Sequence, residues 1–119
     1  MIVAIDHVQL AMPPGGEPRA RAFYAGVLGL VEVAKPAHLA VRGGCWFENA
    51  AVRVHLGVER AFQPARKAHP AFRVEDLASL LARCREHGAD VCDEEQRDGA
   101  RRAYVDDPFG NRIEVIEPL

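Results

Sequence analysis

His7, His55, His69 and Glu114 are the side chains of this chain whose type and placement best suit chemistry. Each lies in a short run that alternates apolar and polar residues: Ile5–Leu10, Val52–Val58, His69–Val74 and Arg112–Ile116. Side chains of a strand alternate between its two faces, so a period of two decides which face each residue occupies. Val8 with Leu10, the even-numbered valines with Leu56, Phe72 with Val74, and Ile113 with Val115 form four apolar stripes. In every run the histidine or glutamate lies on the opposite stripe. Three imidazoles and one carboxylate on the non-core face of four strands make a donor set suited to one divalent ion, with Zn, Ni, Co, Mn and Fe all compatible with nitrogen and oxygen ligands. Glu114 is the only carboxylate in the set and therefore its best base. A carboxylate facing inward also costs desolvation unless something pairs with it.

Nearly the same interval separates His7 from His69 as separates His55 from Glu114, which marks an internal repeat. A helical pattern follows the first strand of each half. In the first half Pro18 suits a helix start, Ala20, Phe23, Val27 and Leu28 form one stripe, and Gly29 suits the stop. In the second, Asp76 is a natural N-cap, Leu77, Leu80, Leu81 and Cys84 form the stripe, and Gly88 ends it. Each half reads as strand, helix and then about three strands. The expected fold class is α+β, two βαβββ modules forming a curved mixed sheet. They are expected to make a single domain over 1–119, with half one at about 2–59, a linker at about 60–68 and half two at about 69–118.

Composition narrows the setting. A chain of 119 residues is long enough for one domain with a real core but not for two independent ones. A formal net charge of −2 argues against a nucleic-acid or membrane-surface protein. No apolar run approaches the roughly 20 residues that span a bilayer. The first residues lack the basic segment and cleavage pattern of a secretory signal. Cys45, Cys84 and Cys92 are odd in number and form no CxxC, so reduced thiols and a cytoplasmic location are expected.

Other polar residues have plainer readings. His38 and His87 are expected to be structural or surface residues, His87 favoured at a helix end where the dipole is negative. Asp106–Asn111 is a turn signal: proline presets φ, glycine supplies a positive φ, and Asp and Asn side chains bond nearby backbone. Its expected role is to join the last two strands and set the register that aims Glu114. Arg53, Arg73 and Arg102 fall on the face of the four donors, where inward arginines suit an anionic substrate. Gln9, two residues after His7, is a further candidate for substrate contact. Trp46 and Phe47 are expected in the core.

Asp6-His7-Val8, Phe23–Leu30 and above all Asp106–Glu114 carry a resemblance that covers nearly the whole chain. The chain resembles the vicinal-oxygen-chelate superfamily, also called the glyoxalase/bleomycin-resistance/dioxygenase superfamily, and in particular its small members similar to glyoxalase I. The resemblance implies paired βαβββ modules curved into a cup around one divalent metal ion, with His7, His55, His69 and Glu114 at the ligand positions. It departs at His55, where a glutamate is usual; a neutral imidazole leaves the site more positive and is a poorer base. Tyr104 aligns with a site tyrosine of fosfomycin-resistance relatives. Arg102 and Tyr104 are accordingly expected to bind substrate, although Tyr104 also reads as an ordinary half-buried strand aromatic.

The implied activity is that of a metal-dependent lyase or isomerase: chelation of two adjacent oxygens of a small oxygen-rich substrate, an enolate-type intermediate, and Glu114 moving the proton. Two alternatives stay open. One is an Fe(II) extradiol-type dioxygenase built on His7, His69 and Glu114. The other is a metal-free protein that binds a small molecule or antibiotic. Members of this length imply a homodimer in which His7 and His55 of one chain meet His69 and Glu114 of the other. No nucleic acid or membrane partner is expected.

Overall fold

Eight strands form the sheets of the protein, in a computed structural model that describes residues 1–119. The chain divides into two compact units, Met1–Gln63 and Pro64–Leu119. In the first, β1 (Val8–Met12), β2 (Val31–Val33), β3 (Cys45–Glu48) and β4 (Arg53–Val58) make a sheet in the order β1-β4-β3-β2. In the second, β5 (Ala71–Arg73), β6 (Val91–Arg97), β7 (Ala100–Asp106) and β8 (Arg112–Pro118) repeat it as β5-β8-β7-β6. In both sheets the first strand joins the last in parallel and the other pairings are antiparallel. A parallel pair needs a crossover rather than a hairpin, and the helical segment after each first strand begins that crossover. The α+β class and the twofold βαβββ repeat are therefore present, as two separate four-stranded mixed sheets.

The second crossover forms as its caps dictate. Asp76 accepts the amide of Ser79 at 3.0 Å ahead of a helix over Leu77–His87, and Gly88 ends it at φ 87°. The helix buries Leu77, Leu81 and Cys84. The first crossover departs from expectation. Helix α1 (Glu17–Ala20), with Pro18 in its first turn, runs directly into a π-helical stretch over Arg21–Ala25. The wider turn adds a residue before the stripe returns to the core. Tyr24 is consequently fully buried beside Phe23, and Leu28, assigned to the stripe from sequence, is left half-buried. A short helix over Ala37–Ala40, followed by a turn at Val41 and Arg42 and then Gly43 and Gly44, leads into β3.

The first strand begins at Val8 and not at Ile5. Its parallel neighbour β4 begins at Arg53 and pairs Val54 with Val8, so the residues upstream have no ladder to join in this sheet. Ile2, Val3 and Ile5 are correspondingly exposed. The segment expected as a linker is not loose throughout. The Asn111 side chain accepts the amide of Ala65 at 3.0 Å, the Ala65 carbonyl accepts the amide of Arg112, and Arg66 pairs with Asp106 at 2.8 Å. The turn itself is tied by Asp107, whose Oδ1 accepts the amides of Phe109 and Asn111 and whose Oδ2 accepts the Asn111 amide group at 2.9 Å.

Candidate functional site

The four donors stand as two pairs, one in each unit. In the first unit, the register Gln9↔His55↔Trp46 puts these three side chains on one face, opposite the buried Leu10, Val54, Leu56 and Phe47. The His55 imidazole lies between two rings. Trp46 stacks on it at 4.0 Å with an interplanar angle of 5°, and His7, just ahead of β1, stacks at 4.2 Å and 20°. Only 8% of His55 is exposed. Burial, helped by the neighbouring His7, lowers its pKa and favours the neutral imidazole that a metal requires. Trp46 is thus a correction to the sequence reading: it covers the polar face rather than the core, while Phe47 is in the core as expected.

Asp6, absent from the sequence-based set, orients His7. Its Oδ2 stands 2.9 Å from His7 Nδ1, and its Oδ1 accepts from Arg53 Nη1 at 3.1 Å. The His7 hydrogen bond holds the Asp6 carboxyl below its ordinary range. A carboxylate on Nδ1 places the proton there and leaves the lone pair on Nε2, the usual arrangement behind a ligating histidine. Nearly parallel rings aim their in-plane lone pairs side by side, so His7 and His55 share one ion only after one ring turns. Arg53, expected to face substrate, is held by Asp6 and, at 3.8 Å, by Glu48.

In the second unit Ala71 and Tyr104 flank Glu114 in the ladder. His69 Nε2 lies 3.3 Å from Glu114 Oε1, and the edge of one ring meets the face of the other between His69 and Tyr104 at 5.2 Å. His69 Nδ1 donates to the Lys67 carbonyl at 2.9 Å. Nε2 therefore faces a carboxylate oxygen, and a proton or a cation between the two satisfies both. Two donors bound at about 2.1 Å to one ion stand roughly 3.0–3.4 Å apart, so the pair fits a metal by spacing and by donor chemistry. Arg102 Nη1 donates to Glu114 Oε2 at 2.7 Å and leaves its buried Nε without a partner. The Arg112 guanidinium sits 4.7 Å above the Tyr104 ring. Arg73, on the same face beside Ile116, is exposed.

The structure thus brings His7 to His55 and His69 to Glu114, with Arg102 and Tyr104 at the second pair. It assembles no group of three or more His, Cys, Asp or Glu able to hold a metal. Asp6 was findable as the polar neighbour of His7 in the sequence. The places of Trp46 and Arg112 depend on strand register, which short runs do not declare.

Comparison with known proteins gives the same family from sequence and from fold. A model of the glyoxalase-like domain matches residues 15–116. No protein of curated function matches the sequence significantly. A Bacillus anthracis protein assigned to the glyoxalase family is 46% identical, with a TM-score of 0.92 over 100% of this chain and 98% of that one. TnmS3, an antibiotic binding protein from a Streptomyces species, is 25% identical, with a TM-score of 0.73 over 99% of this chain and 100% of that one. The fosfomycin resistance protein FosX from Listeria monocytogenes shares the fold at 18% identity and a TM-score of 0.80, over 100% of this chain and 96% of that one. FosX has also been solved with Mn(II) and sulfate. The chain belongs to the glyoxalase-like domain family.

Proposed function

We propose that the protein is a divalent-metal-dependent enzyme of the lyase or isomerase type, acting on a small oxygen-rich substrate, with His7, His55, His69 and Glu114 as metal ligands. The observation that carries this reading is the 3.3 Å approach of His69 Nε2 to Glu114 Oε1, a nitrogen–oxygen pair at a spacing that one bound cation can bridge. The Mn(II) complex of FosX lends the metal class its support. When bound, the ion supplies Lewis acidity toward two adjacent substrate oxygens. Glu114 accepts and returns the substrate proton, held in place by Arg102. Arg102 and Tyr104 contact the substrate, and the positive field of Arg102 and Arg73 favours an anionic or enolate-like state.

The test is metal content after apo-reconstitution with Zn, Ni, Co, Mn or Fe. Close to one ion per chain is expected, weakened by His69→Ala and abolished when His7→Ala is combined with Glu114→Ala. A wild-type protein that takes up none of these ions overturns the reading. A second reading, metal-free binding of an antibiotic-sized molecule, is favoured by the likeness to TnmS3 along the full length of both chains. It is the reading that remains if no ion is taken up. Oxygen consumption with a catechol under Fe(II) would instead select the dioxygenase alternative.

A further inference from the structure

Beside the Trp46–His55 stack, the first unit opens into a cleft of about 290 Å³ whose lining includes Gln9, Lys35, Arg42, Trp46 and two glycines, Gly43 and Gly57. That volume sits at the lower end of small-ligand pockets. Both glycines are needed for the space. A Cβ on Gly57 would stand 2.7 Å from the Gln9 amide nitrogen, so the bare backbone lets Gln9 lie across the floor. Gly43 has φ 74°, and a Cβ there would meet the Val58 methyl at 3.0 Å and the Glu17 carboxylate at 3.1 Å. Lys35 Nζ donates to the Gly43 carbonyl and pins this wall. Arg42 is exposed and is paired with no carboxylate.

The geometry points to this cleft as the subsite for the oxyanion of a small organic acid, a carboxylate or phosphonate taken by Arg42 and steadied by the Gln9 amide and the Lys35 charge. Two cations and an amide around a cleft with an indole in its wall suit an anion carried on an apolar body. Because Trp46 touches both the cleft and His55, such a molecule would lie with its anionic end here and its remaining oxygens toward the histidine. That orientation rests on the metal-dependent reading; recognition of the anion does not.

Trp46 is the only tryptophan in the chain, so its emission reports the cleft directly. Metal-free protein in EDTA would be titrated with phenylphosphonate, benzoate and, as the neutral control, benzyl alcohol. Saturable quenching by the two anions and none by the alcohol is expected. Arg42→Gln should weaken both anions about tenfold or more, and Gly57→Ala should do so by displacing Gln9. Arg60→Gln, an exposed arginine outside the cleft, should change nothing. Equal binding of the alcohol, no saturation, or equal affinity in Arg42→Gln and wild type overturns the subsite. Since EDTA is present throughout, loss of metal uptake and loss of anion binding fail separately.

Discussion

Glu114 is held at both oxygens, Oε2 by Arg102 and Oε1 against His69, which leaves it one orientation. Glu114→Gln keeps the shape and one oxygen donor but can no longer accept a proton or form the ion pair with Arg102. General-base catalysis commonly contributes about 10²–10⁴-fold. Metal-dependent deuterium incorporation next to the carbonyl of a 2-hydroxy- or 2-keto-acid should therefore fall by at least two orders of magnitude, and a loss below tenfold assigns the proton transfer elsewhere. The cysteines make a prediction of their own. Burial pushes the Cys45 thiol up to about 11 and also raises Cys84; Cys92 is raised as well, by partial desolvation and the nearby Asp93 and Asp106, but is exposed. The thiolate is the reactive form, so at pH 8 only about a thousandth of Cys45 would react even if it were accessible. A disulfide-exchange assay on native protein should count one thiol per chain, rising to three after denaturation, with the native rate climbing as pH rises from 7 to 9. Three fast thiols in the native state would contradict the burial of Cys45 and Cys84.

At the scale of elements, the β7–β8 turn fixes the register that aims Glu114, and its keystone is Asn111. This side chain is fully buried and joins Ala65, ahead of β5, to Asp107 in the turn. Asn111→Ala leaves the Ala65 amide and a buried Asp107 oxygen without their partner, and each such loss costs about 1–3 kcal/mol. Stability by urea titration is expected to drop about 2–3 kcal/mol; a change under 0.5 kcal/mol, the range of an ordinary surface substitution, would show that water replaces the amide at no cost. The turn was legible because Pro108 presets φ, Gly110 can take the positive φ the turn needs, and Asp107 and Asn111 bond locally. The second helix was legible for the same reason, with Asp76 and Gly88 at its ends. What the sequence concealed depended on distant partners. Cys45-Trp46-Phe47 has no period to read, so only pairing with β4 assigns Trp46 to the face of His55. The alternation from Ile5 reads as strand, but a strand needs a neighbour, and β4 starts too late to supply one. Nor did any local signal mark the π-helical turn that buries Tyr24. Of the four donors, the period of two places only His55 in β4 and Glu114 in β8; His7 and His69, read from sequence as strand residues, lie just ahead of β1 and β5.

For the whole molecule, the question is how two kinds of half site make a complete one. Each unit supplies two of the four proposed ligands, and two cis imidazoles, or one imidazole and one carboxylate, leave an ion short of protein donors. Sheet edges bear on the answer. Strand β6 protects its edge with Asp93, Glu94, Glu95 and Arg97, all exposed. No such protection exists around Met1, Ile2, Val3 and Ile5, which expose apolar surface ahead of β1 and favour association. We propose a homodimer, a twofold arrangement in which complementary half sites of different chains meet, and light scattering at micromolar concentration should give twice the chain mass. Mixing then discriminates the source of the ligands. His7→Ala damages only the first pair and Glu114→Ala only the second, so each variant alone should lose metal-dependent turnover. If the halves come from different chains, dissociating and reassociating an equimolar mixture gives heterodimers with one undamaged site and one doubly damaged site. About half the chains then enter heterodimers, and turnover should recover to roughly a quarter of wild type, with metal content rising in parallel. If each site is built within one chain, every site in the mixture keeps its defect, and mixing restores neither metal nor turnover.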